Sequence, residues 1–194
     1  LHWALKQKDK AYQLWRQNHQ QWNGDVTDNQ LAIMGEVAWT YKHDALALGY
    51  YQRLLKLTNQ SDVKKRVLFH SRIALLHNKL GKNAAALAAI KRGFMETADI
   101  GIMITGMQVA FDAKDYKGFA ELLALSREQS SRFDSEPRYW LMQAAIANSQ
   151  KNYQHALLLF KKVLALNPNS KEAIGGIESI QQIALDSRKQ STLK

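Results

Sequence analysis

The 194-residue chain contains no cysteine. Disulfides, thiolate metal sites and cysteine nucleophiles are therefore excluded. Such a chain suits the cytoplasm and an oxidising envelope compartment equally. Proline occurs twice and glycine ten times, too few for long loops or a β-rich fold. No apolar run approaches the ~20 residues that a membrane span requires. No signal peptide opens the chain and its first residue is Leu1, so the expectation is a section of a longer protein. Acidic residues are almost missing from one stretch. Residues 53–92 hold Arg53, Lys56, Lys64, Lys65, Arg66, Arg72, Lys79, Lys82, Lys91 and Arg92 against Asp62 alone. Nearly all of the net charge of +10 sits there, because residues 1–52 balance and residues 93–194 almost do.

Helix formers are what the chain has in quantity: Ala, Leu, Lys and Gln dominate. Hydrophobic residues make up 46%, enough for a full core. They recur at spacings of three and four, the signature of one buried helical face. Leu31, Met34, Val37, Ala38 and Tyr41 mark one such face, Tyr50, Tyr51, Leu54 and Leu55 a second, Leu157, Phe160, Val163 and Leu164 a third. Polar clusters interrupt the pattern at Asn23-Gly24-Asp25, 59–62, 80–83, Ser130-Ser131 and 167–170. Asp28, Asp62 and Ser170 are candidate N-caps. The pattern predicts about ten helices of roughly 12–18 residues joined by short turns.

No catalytic set emerges. The histidines are His2, His19, His43, His70, His77 and His155. His70 and His77 stand two turns apart on one helix with no carboxylate at a ligand spacing, so no metal site is expected. No phosphate loop, His-Glu-x-x-His or nucleophile elbow occurs. The glycine pair Gly101 and Gly106 lies in an apolar helix with no strand before it, which indicates close helix packing. The reading is of a non-enzyme without cofactor.

The clearest unit is Tyr153 to Pro168, with Ala156, Phe160, Val163 and a closing Asn167-Pro168. Together with Pro137 and Trp140 it resembles a tetratricopeptide repeat (TPR), and 137–170 has the 34-residue TPR length. The same frame recurs at Ala47, Ala86 and Phe119, with Ala11 and Trp15 as an isolated second helix at the start. The markers Ala11, Ala47, Ala86, Phe119 and Ala156 lie 36, 39, 33 and 37 residues apart. Phe119 replaces the usual small residue, and Met107 and Gln143 depart from the pattern. Gly35, Ala74 and Ala144 fit the position where paired helices cross closely. Trp15, Trp39, Tyr50, Tyr51, Trp140 and Phe160 fall at repeat core slots.

The resemblance implies an all-α, right-handed α-α superhelix (TPR solenoid) of about four full helix-turn-helix repeats plus flanking helices. The boundaries implied are one domain over 1–194: a partial repeat 1–27, repeats at 28–66, 67–99, 100–136 and 137–170, and a C-terminal helix 171–190. The alternative is an unrelated helical bundle. In TPR proteins the concave face, lined by first helices, receives a peptide or a partner helix. Register places Glu36, Trp39, Arg72, Leu75, Asn78, Gln108, Phe111 and Arg138 on that face. The paired Lys and Asn residues of a chaperone-tail carboxylate clamp are missing. A protein or peptide partner is implied, and nucleic acid is not favoured because no aromatic-interleaved basic motif occurs.

The basic patch Arg53, Lys56, Lys64, Lys65, Arg66, Lys79 and Lys82 is either a docking surface for an acidic partner or a solvated face that keeps the chain soluble. The run 34–39 followed by 44–55 resembles the periplasmic TPR region of PelB-like bacterial exopolysaccharide secretion proteins. That narrower resemblance implies a periplasmic scaffold that docks polysaccharide-modifying enzymes and guides polymer to an outer-membrane pore. Two other TPR roles stay open: an adaptor for pilus or cytochrome assembly, and a cytoplasmic regulatory peptide-binding domain.

Overall fold

A computed structural model describes residues 7–19, 26–127 and 130–192. His2 and the break expected at Asn23-Gly24-Asp25 lie outside the described residues. Among those described, the fold is all helix: α1 (Lys8–Asn18), α2 (Asp28–Thr40), α3 (Asp44–Leu57), α4 (Val63–Lys79), α5 (Asn83–Thr97), α6 (Ile100–Asp112), α7 (Tyr116–Arg127), α8 (Ser130–Phe133), α9 (Pro137–Ser149), α10 (Tyr153–Leu166) and α11 (Lys171–Thr192). They pair as α2 with α3, α4 with α5, and α9 with α10. α6 and α7 take the next place in that order. Packing separates two compact units, Leu1–Leu122 and Leu123–Lys194. A chain whose repeats touch mainly their neighbours can divide wherever one such interface is small.

Local chemistry explains the ends. α2 is capped by Thr27, whose hydroxyl accepts from the Gln30 amide while the Gln30 side chain accepts from the Thr27 amide. Asp28, expected as the cap, is instead the first helical residue. Asp62 caps α4 through the Lys65 amide, so α4 starts at Val63, ahead of the boundary expected after residue 66. Ser170 accepts from the Ala173 amide. The break expected at Ser130-Ser131 is the single turn α8, which buries Phe133.

One turn recurs four times. Lys42, Gly81, Lys114 and Lys151 all have left-handed backbone, and each follows the first helix of a pair. In each, the next amide reaches back to close the helix: His43 to Ala38, Lys82 to His77, Asp115 to Ala110 and Asn152 to Ala147 carbonyls. This is the Schellman closure, which satisfies orphan carbonyls and turns the chain into its second helix. The four positions lie 39, 33 and 37 residues apart, the spacing of Ala47, Ala86, Phe119 and Ala156. The repeat is thus written in the backbone as well as in the side chains.

The crossings are as tight as the small residues require. Ala47, Ala74, Ala86, Ala144 and Ala156 are wholly buried. A side chain at Gly106 would place its Cβ 2.4 Å from Ile90, so close packing accounts for this glycine. Gly101 is exposed and lies beside the Asp99 cap. In the first unit Trp15, Leu31, Met34, Tyr51, Leu54 and Leu76 belong to one core. In the second, Ala144, Phe160, Val163, Ala173 and Ile180 form another.

Candidate partner-binding site

In each unit a first helix packs on the next first helix. α4 packs directly on α6, and α9 on α11. Among the described residues, no second helix of a pair packs comparably on the next second helix. α2 joins this first-helix side through the Glu36–Arg72 ion pair, so the exposed faces of α2 and α4 share one surface of the first unit, termed its inner surface.

On that surface α2 and α4 bring together a cluster centred on Trp39. The Arg72 guanidinium carbon and the Lys79 ammonium each lie 4.5 Å from the Trp39 ring centre. Arg72 and Lys79 are seven apart on α4, hence on one face. Glu36 ion-pairs with Arg72 at 3.4 Å and accepts a 2.6 Å hydrogen bond from the Tyr51 hydroxyl. Burial first, then Glu36, pushes the Tyr51 hydroxyl far above its ordinary value, so it stays a proton donor. Asp44 ion-pairs with Lys79 at 3.5 Å. The two cations are therefore balanced by two carboxylates and attracted by the ring face. Arg72 Nε remains buried without a hydrogen-bond partner. Trp39 is half-buried and not a core residue as its repeat slot suggests, and Trp140 is likewise half-buried, with Lys162 over its ring.

Of the residues expected on the concave face, Glu36, Trp39 and Arg72 thus meet in one cluster. Leu75 and Asn78 continue the same α4 stripe, both half-buried. Gln108 is engaged with Asp112 at 2.7 Å on α6, where Phe111 is half-buried. Arg138 is exposed on α9 in the other unit. Asp44 and Tyr51 join this site without being expected there from sequence, and Lys79 belongs to it and not to the basic patch. The available signal was the seven-residue spacing of Arg72 and Lys79.

The basic segment is not one patch. Arg66 is buried and does not belong to an exposed patch, contrary to the expectation from sequence. Its Nε and Nη2 donate to Glu96, and its Nη1 donates to the Leu55 and Thr58 carbonyls at the end of α3. A cation at the start of α4 is disfavoured by that helix but favoured by the carbonyl end of α3, and the long side chain reaches the better place. Lys65 ion-pairs with Asp62 at 2.8 Å, and Lys79 belongs to the Trp39 cluster. Arg53, Lys56, Lys64 and Lys82 are exposed.

Glu96 also accepts from His70 Nε2 at 2.9 Å. Burial raises the Glu96 carboxyl, but the Arg66 and His70 hydrogen bonds outweigh it and hold the group below its ordinary value. Among the described residues, no group of three or more His, Asp or Glu side chains is placed to hold a metal ion. No described helix is long and apolar enough to cross a membrane.

Stacked helix pairs, a recurring Schellman turn and first helices packed on one another define a helical-repeat protein of the interaction class. A tetratricopeptide-repeat family model matches residues 1–177, and the chain belongs to that family. TPR units are protein-interaction repeats and generally non-catalytic. No curated protein matches the chain.

Proposed function

We propose that the chain is a scaffold whose inner surface around Trp39 captures an extended segment of a partner protein. The observation that carries this reading is the half-buried Trp39 ring held against Arg72 and Lys79. Aromatic and arginine side chains in such settings supply most of the binding energy at interfaces. The two cations are internally balanced, so the cluster selects by shape and hydrogen bonding more than by net charge. Arg72 Nε is buried without a partner, and a small shift of the guanidinium on binding would let a backbone carbonyl of the segment satisfy it. Leu75 and Asn78 extend the strip with one apolar and one amide contact.

Peptides selected against the chain from a random displayed library test this. Trp39→Ala should weaken their binding by about tenfold or more, as expected for an interface anchor, while the helical circular dichroism spectrum is kept. Unchanged affinity would place the binding surface elsewhere.

The periplasmic export role, with polysaccharide-modifying enzymes as partners, is a narrower proposal supported by the resemblance of residues 34–55 alone. A gene that adds a signal peptide before this region and an outer-membrane β-barrel after it supports that role, and a gene lacking both removes it.

A further inference from the structure

α4 faces two ways. Arg72, Leu75 and Lys79 follow the inner stripe, whereas His70, Ile73 and His77 follow the same spacing two residues earlier, about 200° around the helix. The second stripe looks into the outer layer, where α3 and α5 stand apart. Between them lies a groove of about 420 Å³ floored by α4. Ala85, Ala88 and Ala89 keep the α5 wall low, and Lys56 from α3 and Arg92 from α5 also line it.

Its chemistry is one-sided. No carboxylate lines the groove. Lys56 and Arg92 are exposed, and neither pairs with a carboxylate among the described residues, whereas nearby Lys65 and Lys91 do. On the floor, His77 Nδ1 is buried with no hydrogen-bond partner. A buried polar nitrogen without a partner is costly, and a turn of the ring toward the groove would let a bound oxygen satisfy it. Burial and Lys82 hold the His77 imidazole below its ordinary value, so near neutral pH it is an uncharged ring with one N–H to give.

We propose that this outer groove is a second binding site, separate from the Trp39 cluster, for an acidic extended segment of a protein partner. Carboxylates of the segment pair with Lys56 and Arg92, one oxygen accepts from His77, and the backbone lies along the alanine wall. A free oxyanion would leave that wall uncovered. Since the inner and outer stripes of α4 point apart, both sites can be filled together, and one unit can hold two partners.

The test uses the full chain and a fluorescein-labelled hexaglutamate peptide, followed by anisotropy at low and moderate salt. Lys56→Glu with Arg92→Glu should weaken binding about tenfold or more, since charge reversal opposes an anionic ligand. Ala88→Trp adds no charge and replaces an exposed residue; it should weaken binding to a similar degree by filling the groove. Lys161→Glu with Lys171→Glu makes the same net charge change at exposed residues that do not line the groove and should cost less than about threefold, because exposed charges outside a binding site contribute little. Equal losses in both charge-reversed variants, or unimpaired binding by Ala88→Trp, would overturn the proposal in favour of a solvated basic face. If the His77 ring signals in NMR move with inorganic phosphate but not with hexaglutamate, the ligand is a free oxyanion and the segment is ruled out. Trp39→Ala should leave hexaglutamate binding unchanged, so failure of either site is read independently.

Discussion

Replacing Glu96 by Ala removes the acceptor on which three donors converge. Its Oε2 takes Arg66 Nε at 3.1 Å, Arg66 Nη2, and His70 Nε2 at 2.9 Å. The Arg66 side chain is 11% exposed and that of His70 1%, so neither can turn to bulk water; Glu96 itself is 32% exposed. Gly93 lets α5 approach this node, since a Cβ there would lie 2.7 Å from His70. Removing one partner of a fully buried ion pair costs about 3–5 kcal/mol. Water reaching the space left by a partly exposed Glu96 lowers that to about 2–3 kcal/mol. Urea unfolding followed by circular dichroism should show this as a lower midpoint at unchanged slope. The double variant Arg66→Met, Glu96→Ala should lose less than the two single variants together, by about 1 kcal/mol or more, because no buried cation is left unpaired. The pH dependence has a definite sign. The folded state holds the Glu96 carboxyl below its ordinary value of 4.5, so its contribution is complete above that pH and is lost as the pH falls through the lowered value. The gap between the native chain and Glu96→Ala should therefore be constant near neutrality and close in acid. A loss under about 0.5 kcal/mol, or a gap that widens in acid, would refute the reasoning.

Ala156→Leu should cost on the order of 1–3 kcal/mol by overpacking a wholly buried crossing; an unchanged urea midpoint would mean that the repeat register is wrong. Lys114→Gly and Lys151→Gly replace residues with φ of 55° and 61° and should each raise stability by about 0.5–1 kcal/mol, as left-handed backbone costs a non-glycine residue about 1–2 kcal/mol. Gly81→Ala, at the equivalent turn with φ 71°, should shift the midpoint the other way, and a shift of the same sign in all three would sink the argument from backbone conformation.

Local chemistry made much of the fold legible in the sequence. Helical periodicity, alanines at the crossings and the Asp62 and Ser170 caps depend on residues a few positions apart, so a linear reading reaches them. That is why Ala47, Ala86 and Ala156 mark the packing register and why Glu36, Trp39 and Arg72 could be placed on one surface. Charge behaved differently. Counting along 53–92 describes one basic segment, but lysine and arginine side chains are long, and each goes to the nearest favourable partner in space. Arg66 crosses to the carbonyl end of α3 and to Glu96, Lys65 folds back on Asp62, and Lys79 lies against Trp39 from another repeat. Only the tertiary structure could decide the Arg66 and Lys79 partners, because Glu96 and Trp39 lie thirty and forty residues away in sequence. The outer groove is of the same kind. Its histidines and alanines, and two cations that pair with no carboxylate among the described residues, come from three helices, and it exists because α3 and α5 stand apart while α4 and α6 close up. The sequence by itself determined which residues are helical and which helical faces are buried; the way the helix pairs stack determined which charges are neutralised and which remain open to a partner.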